Sequence, residues 1–384
     1  MCGIIGITRH EDAARLAYFG LYALQHRGQE SAGIASWDED SASAHLHIGM
    51  GLVPEVFDEV SLQHLTGKTA IGHVRYSTTG KPQIRNAQPL LVRVRDGLQI
   101  ALAHNGNLTN AADIRRALEN DGCIFQTTSD SEIFVHLIAK KLKRHDLEHA
   151  LMAACNEVEG AYSLIIMANG TLFAIRDPHG FHPLSMAKAG QSLIFASESC
   201  AFDLLEADYM REVQPGEMVI ADSGSQSCRS VYFSRAKTPV RQCIFELIYF
   251  ARPDSMVFGE DVYQCRKRMG KNMMHESMAD AECVIPFPDS GVYAALGAAQ
   301  EAGVPYEHAL IRNHYVGRTF IQPSQSMREY GVRVKINPVR SMIQGKKLYV
   351  VDDSIVRGTT IRTRVAKLRT MGARAVHFRV SSPP

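Results

Sequence analysis

Residues 346–382, KKLYVVDDSIVRGTTIRTRVAKLRTMGARAVHFRVSS, constrain the fold more than any other stretch. An apolar strand ends in two adjacent acids, a short polar loop follows, and a helical pattern then leads into a second apolar strand. The helix is predicted to carry Ile361, Val365, Leu368 and Met371 on one face. Since strand–helix–strand units build parallel sheets, we predict an α/β architecture with a central parallel sheet here.

The amino-terminal half has a different pattern, because short apolar runs such as AIGHVRYS and SLIFASES alternate with Gly, Asn and Asp. These runs indicate strands, and helical spacing predicts helices over 12–26 and 130–143. The mixture predicts stacked sheets with helices packed outside them. A polar stretch at 222–240 separates the two patterns, so we predict domains at 1–232 and 233–384.

Composition excludes several classes of protein. The chain has 384 residues, 45% of them hydrophobic, which fits two globular domains. The net charge of +2 gives no sign of a nucleic-acid partner. No apolar run reaches the ~20 residues of a membrane span, and no signal peptide is evident. The eight cysteines form no CxxC pair, which indicates a reducing, cytoplasmic setting.

The loop after the first strand of the βαβ unit has the parts of a phosphate site. A helix N-terminus offers unpaired N–H groups, and Gly358 allows the backbone to approach a ligand. The hydroxyl donors of the loop are Ser354, Thr359 and Thr360. Asp352 and Asp353 could hold ribose hydroxyls or a magnesium ion. The alternative is a capped strand-to-helix turn with two solvated acids.

Cys2 directly follows the initiator methionine and precedes an apolar run, GIIGI. If Met1 is removed, the thiol lies beside its own α-amino group, whose reference pKa is about 7.7–8.0. A neighbouring amine that accepts the thiol proton activates a nucleophile. The alternative is a small hydrophobic residue that starts an edge strand.

Three further motifs carry groups that an amide-cleaving site needs. Arg75, in GHVRYSTTG, could grip a carboxylate with two parallel hydrogen bonds. We expect Asn105 and Gly106, in HNGNL, at a tight turn, where they could form an oxyanion hole or simply a hairpin. Asp130 begins a helix, which it could cap, or it could anchor an α-ammonium group.

These motifs, in this order, resemble the glutaminase domain of N-terminal-nucleophile (Ntn), class II glutamine amidotransferases. VVDDSIVRGTT resembles the phosphoribosyl pyrophosphate (PRPP) motif of type I phosphoribosyltransferases. Joined, they resemble the glutamine phosphoribosylpyrophosphate amidotransferase family along the whole chain. Further similar segments lie at 24–35, 175–184, 245–255, 315–323 and 334–341. The resemblance implies a four-layer αββα Ntn-hydrolase domain followed by a phosphoribosyltransferase domain with a central parallel sheet.

The resemblance also implies an enzyme that forms 5-phosphoribosylamine, glutamate and pyrophosphate, the first committed step of purine synthesis. Cys2 would attack glutamine, Asn105 and Gly106 would form the oxyanion hole, and Arg75 and Asp130 would hold the substrate. The residues implied for PRPP are Asp352, Asp353, Ser354, Arg357, Gly358, Thr359 and Thr360.

A magnesium site is implied at Ser290, in PFPDSG, together with Asp352 and Asp353. A flexible loop would close over PRPP, with Tyr315, Arg318 and Phe320 as its implied functional residues. The family commonly has Lys and Arg before this loop's YVGRTF. Here the residues are Arg312, Asn313 and His314.

One branch of the family carries a [4Fe–4S] cluster, and Cys243, before IFELIYFARPDS, matches its first ligand. Such clusters take four thiolates. The remaining ligands of that branch lie beyond the VSSPP at which this chain stops. We therefore expect a second domain that is truncated at its C-terminus, and a cluster only in a longer parent.

The resemblance further implies purine nucleotides as feedback inhibitors and a homo-oligomer, a dimer or tetramer. A glutaminase coupled to a sugar-phosphate isomerase or an asparagine-forming domain would lack VVDDSIVRGTT. A non-catalytic PRPP-binding regulator would not need Cys2, Arg75 and Asn105. That regulator and a truncated, glutaminase-only fragment remain the alternatives.

Overall fold

The computed structural model describes residues 1–76, 81–222, 228–234, 238–313, 336–355 and 358–383, without the side chains of 359 and 360. The chain divides into two compact units, which are Met1–Cys243 with Phe250–Gly259, and Ile244–Tyr249 with Glu260–Pro384. The division therefore falls later than the predicted boundary at residue 232. A π-helical turn at Glu246–Phe250 and two-residue strands at Met256–Val257 and Glu260–Asp261 lie around it.

The first unit contains two antiparallel sheets flanked by helices. Its strands are β1 Gly3–Ile7, β2 Ser31–Asp38, β3 Ser43–Met50, β4 Thr69–Arg75, β5 Leu90–Arg93, β6 Gln99–Leu108, β7 Gly160–Ala168, β8 Thr171–Arg176, β9 Ser185–Ala189, β10 Ser192–Ala196, β11 Asp208–Glu212, β12 Glu217–Ala221 and β13 Cys228–Tyr232. Its helices are α1 Ala13–Ala23, α2 Val53–Val56, α3 Glu59–Gln63, α4 Ala111–Asn120, α5 Ser131–Lys141, α6 Leu147–Cys155 and α7 Cys200–Leu204. Short 3-10 turns lie at Gln25–Arg27, Ile84–Asn86 and Arg95–Gly97.

The sheets have the orders β11-β9-β10-β1-β4-β2-β3 and β13-β12-β8-β7-β6-β5. Successive side chains of a strand point to opposite faces. In β1, accordingly, Ile4 packs into the core between the sheets, while Ile5 and Ile7 pack under α1. In β7, Ile165 faces the inter-sheet core and Leu164 packs towards α5 and α6. Three cores between four layers confirm the predicted αββα arrangement.

The helix predicted at 12–26 is shorter, because α1 ends at Ala23 and a 3-10 turn at Gln25–Arg27 follows. The helix predicted at 130–143 is α5, Ser131–Lys141. Both strand faces of the first unit are covered, so β2 and β4 are buried along nearly their whole lengths. This explains the unbroken apolar runs in the sequence.

The second unit contains the predicted βαβ unit. Its elements are α8 Val262–Glu276, β14 Cys283–Pro286, α9 Val292–Ala302, β15 Leu310–Arg312, β16 Ile336–Pro338, a 3-10 turn at Arg340–Met342, β17 Lys347–Asp352, α10 Thr359–Thr370 and β18 Ala375–Val380. β14, β17 and β18 form a parallel sheet, and β15 pairs antiparallel with β16. One face of the sheet packs on α8 and α9, and Leu368 of α10 packs against the other.

Candidate active sites

Cys2 directly precedes β1, and groups of Asn105 and Tyr76 lie against it. Its backbone N donates to Asn105 Oδ1 at 3.0 Å. Its Sγ lies 3.5 Å from the amide N of Tyr76 and 3.6 Å from its carbonyl O. Burial raises the pKa of the Cys2 thiol, against the positive charge of the amino terminus, which lowers it. The thiol therefore needs a nearby proton acceptor to become a nucleophile.

Asn105 and Gly106 lie inside β6, where they pair with Ser163 and Tyr162 of β7. The predicted tight turn is therefore wrong, because the ladder with β7 continues to Leu108. Asn105 is fully buried, and among the described residues its Nδ2 has no hydrogen-bond partner. A buried donor without an acceptor is costly in the free protein and suits a charge that develops during reaction.

Gly106 cannot carry a side chain in this strand. A Cβ at this position would lie 2.0 Å from the carbonyl O of Ala161 and 2.7 Å from His104 Nε2. The close approach of β7 thus explains why glycine follows Asn105.

Arg75 ends β4 with a side chain that is only 3% exposed. Its Nη1 forms an ion pair with Glu30 and lies 3.5 Å from the carbonyl O of Lys81. Sequence reasoning missed Glu30. The available signal was its position directly before Ser31, which pairs with Arg75 across the β2–β4 ladder.

Asp130 directly precedes α5 but does not cap it with its side chain. Its Oδ2 instead accepts a hydrogen bond from the backbone N of Leu108 at 2.9 Å. The capping alternative is therefore wrong, and the buried carboxylate is held against the strand that carries Asn105.

Asn86 is a further buried residue that the sequence did not single out. Its Nδ2 donates to Lys81 O at 2.7 Å and to Thr128 Oγ1 at 2.8 Å, and its Oδ1 accepts from Thr128 N at 2.9 Å. It therefore joins the segment after Arg75 to the segment before Asp130.

Arg27 and Glu198 form a buried pair beside Cys2 that sequence reasoning also missed. Arg27 Nε donates to the carbonyl O of Cys2 at 2.9 Å, and its Nη1 forms an ion pair with Glu198. Burial raises the pKa of Glu198, but the charges of His26 and Arg27 outweigh it and hold this pKa below its usual value. A buried carboxylate thus stays ionised beside the amino-terminal strand.

In the second unit, Asp352 is the last residue of β17, and Asp353 follows it directly. Ser290 Oγ donates to Asp352 Oδ1 at 3.1 Å, and Ser354 Oγ donates to Asp353 Oδ2 at 2.6 Å. Burial, and then the neighbouring Asp353 carboxyl, raise the pKa of Asp352 to about 7. Oxygen donors suit Mg²⁺, and a cation would relieve the repulsion between the two carboxylates. The residues present therefore fit a magnesium ion.

The loop after these acids ends at Gly358, which has a φ of +67° and precedes α10. This left-handed conformation favours glycine, and a Cβ there would meet no atom within 4 Å. Thr359 and Thr360 open α10, so their backbone N–H groups belong to the helix N-terminus. Arg357, Tyr315, Arg318 and Phe320 lie outside the described residues.

Cys243 is half-buried, and its backbone N donates to Phe181 O at 3.1 Å. All eight cysteines are free thiols. In the described ranges, no three His, Cys, Asp or Glu side chains come together as metal ligands. The described residues therefore do not assemble the four thiolates of an iron–sulfur cluster. Nor does any helix in these ranges have the length and apolarity to cross a membrane.

Residues 73–203 match the model of a glutamine amidotransferase domain. The amidophosphoribosyltransferase of Bacillus subtilis is 48% identical over 385 residues, which cover 100% of this chain and 79% of that protein. A solved structure described as the allosteric regulatory enzyme of purine biosynthesis superposes with a TM-score of 0.93 and is 47% identical in sequence. The superposition covers 100% of this chain and 81% of that structure's chain. The structure of glutamine PRPP amidotransferase from B. subtilis, complexed with ADP and GMP, superposes with a TM-score of 0.92 at 46% sequence identity. The superposition covers 100% of this chain and 82% of the B. subtilis chain. The chain therefore belongs to the amidophosphoribosyltransferase family, the enzymes that form 5-phosphoribosylamine from glutamine and PRPP in the first committed step of purine biosynthesis.

Proposed function

We propose that Cys2 is the nucleophile with which the first unit releases ammonia from glutamine. With Met1 removed, the free α-amino group takes the thiol proton and the sulfur attacks the side-chain amide carbon. The amide nitrogen leaves as ammonia with that proton, and water then cleaves the thioester to give glutamate. Arg75 holds the α-carboxylate of glutamine and Asp130 its α-ammonium group.

The observation that carries this proposal is the arrangement of Asn105. Its Oδ1 anchors the backbone N of Cys2, while its buried Nδ2 has no partner among the described residues. The same side chain thus aims the nucleophile and offers a donor to the oxyanion that the attack creates. The N–H of Gly106 is the second proposed donor of this oxyanion hole.

In the second unit, we propose that the turn after β17 binds the phosphate groups of PRPP. The support is a helix N-terminus behind Gly358, which offers N–H groups and the positive end of a dipole. The side chains proposed to contribute are Asp352, Asp353, Ser354, Arg357, Thr359 and Thr360.

Asp352, Asp353 and Ser290 are the residues that would hold magnesium. When bound, the ion neutralises charge on the departing pyrophosphate. Ammonia displaces pyrophosphate from C1 of PRPP. The loop with Tyr315, Arg318 and Phe320 is proposed to close over the sugar and keep water out.

Glutamine hydrolysis by a Cys2→Ala variant tests the nucleophile. We expect glutamate release to fall to background, while intact-mass measurement of the wild type shows loss of Met1. Cys123→Ala is a matched control, because Cys123 is another half-buried free thiol. If Cys2→Ala hydrolysed glutamine at the wild-type rate, the assignment would be wrong.

Purine nucleotides are proposed to regulate the enzyme, because the B. subtilis relative was solved with ADP and GMP. We also propose a homo-oligomer in the cytoplasm, where the free thiols would stay reduced. A [4Fe–4S] cluster bound through Cys243 is proposed only for a chain that supplies three further thiolates. Inhibition assays with ADP and GMP, and light scattering for mass, test the first two points.

A further inference from the structure

Glu198 is a buried carboxylate that accepts hydrogen bonds from four N–H and O–H groups. It is the second residue after the end of β10 and is fully buried. Its Oε1 accepts from His26 Nε2 at 2.8 Å and pairs with Arg27 Nη1. Its Oε2 accepts from Arg252 N at 2.8 Å and from Ser255 Oγ at 2.9 Å. One side chain thus joins three separate segments of the first unit.

Arg27 connects Glu198 to Cys2, the proposed nucleophile. Its side chain is fully buried, and its Nε donates to the carbonyl O of Cys2 at 2.9 Å. The residue before Glu198 also holds the amino-terminal strand, since Ser197 exchanges hydrogen bonds of 3.0 Å with the backbone of Ile4. Cys2 is therefore fixed from its N by Asn105 and from its carbonyl O by Arg27.

We propose that Glu198 is a positioning residue for Cys2, which it aims at glutamine through the guanidinium of Arg27. The proposal rests on the proposed role of Cys2 as nucleophile. Without the Glu198 charge, the buried cation of Arg27 loses its carboxylate partner, and such a loss forces rearrangement. A misplacement of about 1 Å at a reacting atom lowers a rate by about 100-fold.

Glu217 offers a matched control. It is also buried, and it accepts two hydrogen bonds of 2.8 Å from Arg211. It additionally accepts from Gln214 N. In the described part of the chain, no hydrogen bond joins Arg211 or Gln214 to Cys2. Glu198→Gln and Glu217→Gln therefore remove the same charge from a buried carboxylate that pairs with an arginine. Arg211 is 39% exposed whereas Arg27 is fully buried, and only Arg27 donates to the backbone of Cys2.

The test measures kcat and KM for glutamine in the wild type, Glu198→Gln, Arg27→Lys, the double variant and Glu217→Gln. We expect Glu198→Gln to lose about 100-fold in kcat. KM should stay within about two-fold, because uniform substrate binding is untouched. Glu217→Gln should keep the wild-type kcat. In the Arg27→Lys background, Glu198→Gln should cost little more, since the two residues act as one unit.

A second readout separates this proposal from the function on which it rests. An electrophilic glutamine analogue should alkylate Cys2 in the wild type, and its rate should fall in Glu198→Gln in step with kcat. If the wild-type Cys2 were not alkylated, the nucleophile assignment would fail. If Glu198→Gln were alkylated at the wild-type rate, or lost the same factor in kcat as Glu217→Gln, the positioning role would be overturned.

Ser255→Ala keeps the proposal testable if Glu198→Gln does not fold. It removes one donor from Glu198 Oε2 and leaves both charges in place. A lost hydrogen bond of ordinary strength corresponds to about five-fold. We therefore expect kcat to fall by about that factor with KM unchanged, and an unaltered kcat would count against the proposal.

Discussion

Replacement of Asn105 by alanine should cripple glutamine hydrolysis with little effect on substrate binding. The side chain makes one hydrogen bond in the described structure, from Cys2 N to Oδ1, while the buried Nδ2 has no partner. An unpaired buried donor is costly in the free protein, and in the proposed mechanism it acts when the oxyanion forms. Removal of one such donor costs about 10²–10³-fold in kcat, or about 2.7–4 kcal/mol.

The assay is steady-state ammonia release from glutamine, with KM and kcat fitted separately. We expect kcat and kcat/KM to fall together, because the lost interaction exists only in the transition state. Asn156→Ala is the matched control. Its Nδ2 donates to the carbonyl O of Phe233 at 3.1 Å, so it loses a real hydrogen bond away from Cys2.

The Asn105→Asp variant separates the role of the amide oxygen, which anchors Cys2, from the role of the amide nitrogen as a donor. An aspartate keeps an oxygen that can accept from Cys2 N but removes the Nδ2 donor. If this variant recovered the wild-type kcat, anchoring of Cys2 would explain the alanine result and the oxyanion reasoning would be refuted. A pure rise in KM in either variant would refute it as well.

Three further outcomes follow from the described contacts. Asp352→Asn should weaken PRPP binding by at least about ten-fold in calorimetry with magnesium, because one of the three proposed metal ligands is lost. Basal glutamine hydrolysis should stay unchanged, and equal PRPP affinity would contradict the site. Burial lowers the pKa of His73 from 6.5 to about 3, so below pH 6.5 the unfolded chain binds a proton that the folded chain does not. The free energy of unfolding should therefore fall by about 1.5 kcal/mol more between pH 6.5 and about pH 5 in the wild type than in His73→Gln, as measured by urea titration; parallel pH curves would contradict this. Residues 1–384, purified without air, should contain no stoichiometric iron or acid-labile sulfide. A chain that supplies three further thiolates should contain about four iron atoms, and Cys243→Ser should remove them. If that longer chain contained no iron, the cluster proposal would be wrong.

The layers of the fold were predictable because burial leaves a local periodic pattern. The apolar residues on both faces of β1, which are Ile4, Ile5 and Ile7, indicate that both faces are covered. The pattern of residues 346–382 indicates a strand, a helix and a second strand. The same local logic failed at Asn105. Asn-Gly favours a turn in isolation, but pairing of β6 with β7 overrides that preference.

The supporting acids of the first unit could not be predicted in the same way. Glu198 is 171 residues from its partner Arg27, and no periodicity relates the two positions. Asn86 joins two loops whose spacing in sequence carries no signal either. Each of these contacts depends on sheets that first have to assemble, so it becomes visible only in the folded chain.

The Arg75–Glu30 pair shows why a contact that the sequence does not reveal matters for the chemistry of the site. A motif can nominate Arg75 as the residue that grips a carboxylate, yet a guanidinium that is 3% exposed cannot remain without a counter-charge in the free protein. Glu30 supplies that charge, so in the proposed site the α-carboxylate of glutamine would share the guanidinium with Glu30. The planar guanidinium of arginine carries five N–H donors, so one such group can pair with two carboxylates at once. A lysine at the same position would offer a single ammonium to both carboxylates, so the proposed role favours an arginine at the end of β4.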